Sequence, residues 1–516
     1  MRIFNQKTGI KKLVLLTNMA LMSFVMPTVA NAEILTPTLG NNSAYTLTKV
    51  DSLLENTFAN YIYNKTTNEL EKEYWQWALK SGINSESRKE NVSGNITGNF
   101  INNYVDFAGS FGAGGDVTGC GASCGATCGC GAGFTSYAYG GAIYNEVSIG
   151  NITGDFIGNY AQGTYAEGGA IYNDDTIETI TGDFIGNYAQ VSGINYSAYG
   201  GAIANMTAKI QEIHGDFIAN YAESKNSSAY GGAIYNYGII DSITGDFIGN
   251  YAQGTYAEGG AIGVKSSTIP TINSNFIGNY AFATDDQANG GAIATLDGTG
   301  NISSLTGDFI GNYAQGRSAY GGAIYNYGTI DTIEGDFISN YAQGISADSG
   351  AIYNRGTIET LTGDFIGNYA QGSYAYGGAI HNYDNGEIDS ITCDFIGNYA
   401  QGSYGAYGGA IYNDGTIETI TGDFIGNYAQ ASSNYKFAYG GAIHNDAGTI
   451  GDITGDFIGN YTKSETSVAY GGAIYNNYGT IGSQDANGNL TGGLINSSFI
   501  NNYTKSESGT AEGGAI

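Results

Sequence analysis

Gly182-Asp183-Phe184-Ile185-Gly186-Asn187-Tyr188, a connector of variable length, then Gly200-Gly201-Ala202-Ile203: the chain repeats this phrase almost to its end. The Phe-Ile-x-Asn-Tyr part starts at Phe100, Phe156, Phe184, Phe217, Phe247, Phe276, Phe309, Phe337, Phe365, Phe395, Phe424, Phe457 and Phe499. These thirteen copies alternate with thirteen Gly-Ala-Ile units, the last ending at Ile516. Successive Phe positions are mostly 28 to 33 residues apart. A period this short marks a stacked solenoid. Each period holds three short strand-like pieces, such as 177–180, 183–189 and 202–205, separated by Gly, Asn and Asp. Those residues favour turns, through φ > 0 or local side-chain bonding. A helical repeat is disfavoured, because Gly recurs in every period and costs about 1 kcal/mol inside a helix.

One period cannot bury its own apolar face. Stacked on a neighbour, Phe156 lies over Phe184 and Ile over Ile, and each buried side chain contributes roughly 1.5–3 kcal/mol. Asn159, Asn187 and their counterparts are placed to form an amide ladder. Tyr160, Tyr188 and theirs form an aromatic column. The expected fold is all-β: a right-handed parallel β-helix of about thirteen rungs, roughly 60 Å long at ~4.8 Å per rung, with a short N-terminal helical cap. Residues 155–171 recur unchanged at 246–262, seventeen residues in all. That is duplication, and it builds a surface by repetition.

The 516 residues include 83 Gly and 43 Tyr but 3 Pro, and 42% are hydrophobic, which is not the profile of a disordered chain. The formal charge is −29. The first 32 residues carry four bases and no acid, so the remainder carries −29 − 4 = −33. This argues against a nucleic-acid partner. Much of the charge lies in Gly-Asp-Phe turns, read as solvated turn aspartates. The alternative is a column of weak Ca²⁺ sites, since hard cations prefer carboxylate oxygens; the Gly-Gly-x-Gly-x-Asp Ca²⁺ nonapeptide is absent. No other cofactor is implied.

Residues 1–32 read as a signal peptide: Lys11 and Lys12, an apolar run from Leu13 to Val25, and Ala30-Asn31-Ala32 before Glu33. The run is too short and interrupted for a membrane span. Residues 33–92 lack the repeat. Leu54, Phe58, Tyr61 and Ile62 share a helical face, as do Leu70, Tyr74, Trp77 and Ala78. A solenoid's first rung needs covering, so 33–92 is read as the cap, with a small binding module as the rival. Residues 93–516 form the repeat domain, with a Cys-rich insertion at 105–139. The exported context favours two disulfides among Cys120, Cys124, Cys128 and Cys130. A thiolate metal site is the alternative, although paired Cys-x-x-Cys motifs are missing; unpaired thiols are the third. Cys393 replaces a column Gly and has no evident partner. The sequence stops on a Gly-Gly-Ala-Ile without a closing cap, which reads as a C-terminal truncation.

Connectors such as 191–199, 282–289 and 431–439 vary most and are rich in Tyr, Ser, Ala and Asn. Loops on one side of a rigid stack are a usual place for binding; the bland reading is that they are tolerated turns.

The alternation of Gly-Gly-Ala-Ile with Phe-x-x-Asn over about 93–516, behind a signal peptide, resembles the repeat signature of the chlamydial polymorphic membrane proteins and similar autotransporter passengers. The resemblance implies a right-handed β-helical passenger, carried to the surface by a C-terminal outer-membrane barrel and acting in adhesion to a host-cell or matrix protein or glycan. No barrel follows the repeats in this sequence. The same tetrapeptides also have a complete structural explanation as rung columns.

Parallel β-helices also host polysaccharide lyases and hydrolases. Such a site needs acids, bases or metal ligands that break the repeat. His214 replaces a Thr; His381 and His444 occupy a position held elsewhere by Tyr, Ala or Gly, and all three read as surface substitutions. Arg317 and Arg355 are the only arginines in the stack, without a nonrepeating carboxylate cluster nearby in sequence, and the pairs Asp174-Asp175 and Asp285-Asp286 read as solvated turns. The sequence therefore predicts a non-enzymatic adhesin, with a surface spacer or a pectate-lyase-like enzyme as alternatives.

Overall fold

A computed structural model describes residues 85–86, 89–90, 92–106, 137–432, 437–465, 467–484 and 490–516. The signal peptide, most of the segment 33–92 read as a helical cap and the four cysteines of the insertion lie outside these residues; the described end of that segment, Ser85–Glu86 and Lys89–Glu90, is strand that pairs in parallel with the repeat strands at Asn99–Ile101 and Ile143–Asn145.

The described chain is a parallel β-helix. Its regular structure is entirely strand, and strands of successive coils pair in parallel. The pairing is residue on identical residue. Phe184 aligns with Phe156 below and Phe217 above, Tyr188 with Tyr160 and Tyr221, and Ile203 with Ile171 and Ile234. Eleven coils, those starting at Phe156 through Phe457, have every strand. The coil at Phe100 is interrupted between Tyr104–Asp106 and Tyr137–Tyr139, and the coil at Phe499 lacks its Gly-Ala-Ile strand. The expected thirteen rungs are thus eleven uninterrupted coils, a first coil with the same strands that carries the insertion, and a last coil with Phe and Tyr strands.

Three strands per rung was too coarse. Each coil feeds four sheets: an Ile-x-x-Ile sheet, a Phe sheet, a Tyr sheet that takes two short strands from most coils, and a Gly-Ala-Ile sheet. The piece 183–189 is split into Phe184–Ile185 and Tyr188–Val191. The cause is Asn187, which turns its amide inward, fully buried. The preceding Gly186 takes φ 61° to allow it. Nδ2 of Asn187 donates to Phe156 O at 3.0 Å and Asn220 Oδ1 at 2.9 Å. Its Oδ1 accepts from N and Nδ2 of Asn159, both at 2.9 Å. A buried amide so fully used costs little and fixes the register. A second ladder runs along the Gly-Ala-Ile sheet, where Asn145, Asn173, Asn205 and Asn236 link Nδ2 to Oδ1 at 2.7–2.8 Å.

Phe and Ile fill the interior. The rings of Phe156 and Phe184 are 4.6 Å apart and within 2° of parallel, and the column continues to Phe499. A separate small core beneath the Tyr sheet is made almost wholly of alanines, among them Ala161, Ala166, Ala189 and Ala198. The turn aspartates are not simply solvated. Most are half-buried, and one carboxylate oxygen accepts the backbone amide of the counterpart above, as from Asp183 to Asp155 at 3.1 Å and from Asp336 to Asp308 at 3.0 Å.

The connectors are also less loop-like than expected. In three consecutive coils they vanish into continuous strands, Tyr341–Asp348, Tyr369–Tyr376 and Tyr399–Tyr407. Residues 192–197 do form a bend.

Candidate functional site

The corner that each Gly-Gly builds decides where a site can form. Gly200 has φ 59°, and a Cβ on Gly201 would sit 2.1 Å from Gly232 O. No side chain fits there, so the chain folds back sharply. The residue before the corner and the residue after Ala-Ile then face each other. The rings of Tyr199 and Tyr235 lie 4.8 Å apart, those of Tyr139 and Tyr172 4.6 Å. Repeated coil upon coil, this makes a Tyr-walled groove along the stack.

The walls are not uniform. On the pre-corner wall Tyr199 and Tyr230 align with Glu167, Glu258, Asn289 and Asp348 in other coils. On the opposite wall Tyr353 and Tyr412 align with His381, and Tyr412 with His444. Glu167 and Glu258 are buried, and burial pushes each carboxyl up to about 7. Hydrogen bonds to Glu258 from Tyr256 Oη at 2.6 Å and Asn289 Nδ2 at 2.8 Å work against that rise. Burial also raises the phenols of the groove, Tyr230 and Tyr325 to about 12, so they remain neutral donors.

Between the coils of Phe309 and Phe395 the groove opens into a recess of about 380 Å³. It brings together residues that are far apart in sequence: Asp348, Arg355, His381 and Asp414, among Tyr320, Tyr325, Tyr353, Tyr376, Tyr383 and Tyr412. His381 Nδ1 is 3.3 Å from Asp348 Oδ1 and its Nε2 is 3.8 Å from Asp414 Oδ1. Neither nitrogen is aligned for a hydrogen bond, so the carboxylates act on the ring through proximity. Burial opposes the imidazolium, but the two carboxylates outweigh it and raise the pKa of His381. Ser346 Oγ donates to Asp348 Oδ2 at 2.9 Å. The Arg355 guanidinium lies 4.7 Å from the Tyr327 ring centre and 6.0 Å from that of Tyr383. The corner itself changes here: Ser349 replaces the first Gly, holds φ 72°, and donates from Oγ to Ala379 O at 2.5 Å. A non-Gly residue in this region is strained, and such strain gathers at functional sites.

His381 and His444 are therefore not surface substitutions: they are 3% and 2% exposed. A column that accepts Tyr, Ala and Gly was read as solvent-facing. It is instead one wall of a groove whose facing rings cover it. His444 has no hydrogen-bond partner for either nitrogen, and burial lowers its pKa to about 4 despite Asp446 and Asp414. His214 is on the surface as expected, its ring bonded to Thr244 Oγ1 at 2.7 Å and Glu212 Oε2 at 3.1 Å.

Arg317, Asp174-Asp175 and Asp285-Asp286 do not line the recess. The structural-repeat residues Phe156, Asn159, Phe184, Asn187, Ala202 and Ile203 are buried in the stack, Gly200 and Gly201 make the corner, and Tyr160 and Tyr188 stack at 4.8 Å on the outside of the Tyr sheet. Cys393 is a free buried thiol. Among the described residues no three His, Cys, Asp or Glu side chains converge as a metal site. The sequence did carry a signal for the recess: one coil reads Ala-Asp-Ser-Gly-Ala-Ile where most read Ala-Tyr-Gly-Gly-Ala-Ile.

Comparison with family models, with curated proteins and with solved structures gave no match.

Proposed function

We propose that the chain is an exported, autotransporter-type passenger, presented at the bacterial surface or secreted, that acts as an adhesin for a host-cell or matrix protein or glycan. One observation carries the reading: a rigid stack displays a continuous groove of tyrosines whose occupants change from coil to coil. Tyrosine offers a large contact area and a polar tip at low cost in conformational freedom. A spacer has no need of a wall in which Tyr gives way to Glu, Asn, Asp and His at particular coils. The reading places export on the signal-like segment at 1–32 and on an outer-membrane barrel supplied from beyond the repeats.

The test is to present the purified chain to arrays of host proteins, matrix proteins and glycans. Selective binding that weakens when Tyr199 and Tyr230 are both changed to Ala supports the adhesin. Binding to nothing favours the spacer. The enzyme alternative is met by the same preparation with polygalacturonate and Ca²⁺: a rise in absorbance near 235 nm (the unsaturated product of a lyase) would replace adhesion with catalysis.

A further inference from the structure

Within that groove one coil region gathers several departures from the repeat. Asp348 stands in a column held mostly by Tyr and His381 in one held mostly by Tyr, Ala or Gly; both line the recess, and Ser349, next to Asp348 in the chain, replaces the Gly of the corner. Ordinary stacking does not call for this. Tyr320 and Tyr376 show that Tyr fits the pre-corner column on both sides of Asp348, and replacing a Tyr by an Asp is what opens the space.

We infer that this recess is a binding subsite for one pyranose ring of an uncharged glycan. The inference rests on the reading of the groove as a binding face. The size suits it, since ligand sites run from about 300 to 1,000 Å³. The walls suit it too. A pyranose has an apolar C–H face and a rim of hydroxyls, and the recess offers ring faces beside fixed donors and acceptors. Asp348 and Asp414 accept, Arg355 donates, and Gln287 and Ser346 do either.

The charges decide between a neutral and an ionic ligand. Asp348 and Asp414 face His381, and Arg355 lines the same recess. The lining sums to zero formal charge with His381 protonated and to −1 with it neutral, so neither state calls for an anionic ligand. The chain as a whole is at −29, which opposes polyanions approaching from a distance. Arg355, one of the lining residues, lies over the rings of Tyr327 and Tyr383 and sets a cation of the chain's own at the recess, which opposes a cationic ligand. An uncharged polyhydroxyl ligand is what remains.

The experiment titrates the full chain with three probes: neutral oligosaccharides ending in glucose, galactose or mannose; the same kinds of chain ending in a uronic or sialic acid; and choline. Saturable binding of at least one neutral terminus is expected, weakened tenfold or more by Asp348→Tyr, which refills the recess with the residue its neighbours carry. Asp348→Asn, which keeps the shape and removes the charge, is expected to weaken it severalfold; it serves if the Tyr variant does not fold. Stronger binding of acidic termini or of choline overturns the inference, as does neutral binding indifferent to both variants. Absence of all three with host-protein binding intact sinks the sugar subsite and leaves the adhesin standing. Loss of array binding as well removes both.

Discussion

Two sides of each coil obey different rules. On the Phe side the same residue recurs in every described coil, and each Phe and Asn contacts its own copy above and below. On the groove side, Tyr, Glu, Asn, Asp and His share one pair of columns. A dry column tolerates little, because a changed residue leaves a cavity or an orphaned polar atom against both neighbours. A groove column packs against a facing wall that itself varies from coil to coil, and can exchange residues. Repetition therefore marks what holds the stack, and variation marks where it can select a ligand.

The sharpest way to break this contrast is to damage both sides in the middle of the stack. Phe309→Ala should cost about 4 kcal/mol, the range for emptying a buried aromatic site, because Phe309 is fully buried between Phe276 and Phe337. Asn312→Ala should cost about 3 kcal/mol. It leaves Phe276 O and the amide of Asn279 without their bonds of 2.8 and 3.0 Å. Hydrogen exchange is the measurement of choice, since a repeat stack opens locally. Amides of the coils on both sides of the change should lose protection first. Tyr230→Ala on the groove should cost about 1 kcal/mol and leave the amides of the coils on both sides of it protected. Equal losses from Phe309 and Tyr230 would erase the distinction between the two sides.

The contrast also has a pH signature. Glu258 has its carboxyl raised from 4.5 to about 7, so the folded state holds the proton more tightly than the unfolded one. The resulting stability is fully present below 4.5 and is lost as pH climbs through 7. It amounts to about 3 kcal/mol for a rise of this size. His444 runs the other way. Its pKa is lowered from 6.5 to about 4, so its contribution is present above 6.5 and is lost as pH falls through 4. Comparing Glu258→Gln with wild type cancels the His444 term. The variant should match wild type near pH 4 and melt at a higher temperature at pH 8. An unchanged difference across that interval would mean that Glu258 is not held neutral by the groove.

The dry side was legible in the sequence and the groove was not, and the reason is geometric. Phe184, Asn187 and Gly201 announce themselves because each copy sits about thirty residues from the next and does the same thing. The split at Gly186-Asn187 was missed because Phe-Ile-x-Asn-Tyr reads as one strand until Asn187 is known to point inward. Arg355 and His381 were visible as oddities and Asp348 departs from a mostly Tyr column, whereas Asp414 stands in a column that varies throughout. They come from three successive coils, however, and only stacking places them in one recess. The exposure of His381 and His444 was misjudged for the same reason: what covers them is contributed largely by other coils.

Cys393 gives the smallest and most discriminating test, because it is an oddity on the wrong side. It breaks a Gly column of the dry face, is 4% exposed, and its thiol reaches only Leu361 O, at 3.5 Å. Ser274 occupies the same column elsewhere, so the position accepts a small side chain without help from a ligand. Cys393→Ala should therefore change stability by about 1 kcal/mol or less, the usual scale for a small volume change in a core. Burial pushes the thiol well above its ordinary range, and the neighbouring Asp364 adds to the rise, so little thiolate is present to react. Alkylation followed by peptide mass spectrometry should find Cys393 unmodified in the folded chain and modified once the stack is unfolded. Rapid labelling in the native state would show that the dry side opens at this coil, and a residue that breaks its column there would then have to be explained as the groove residues are.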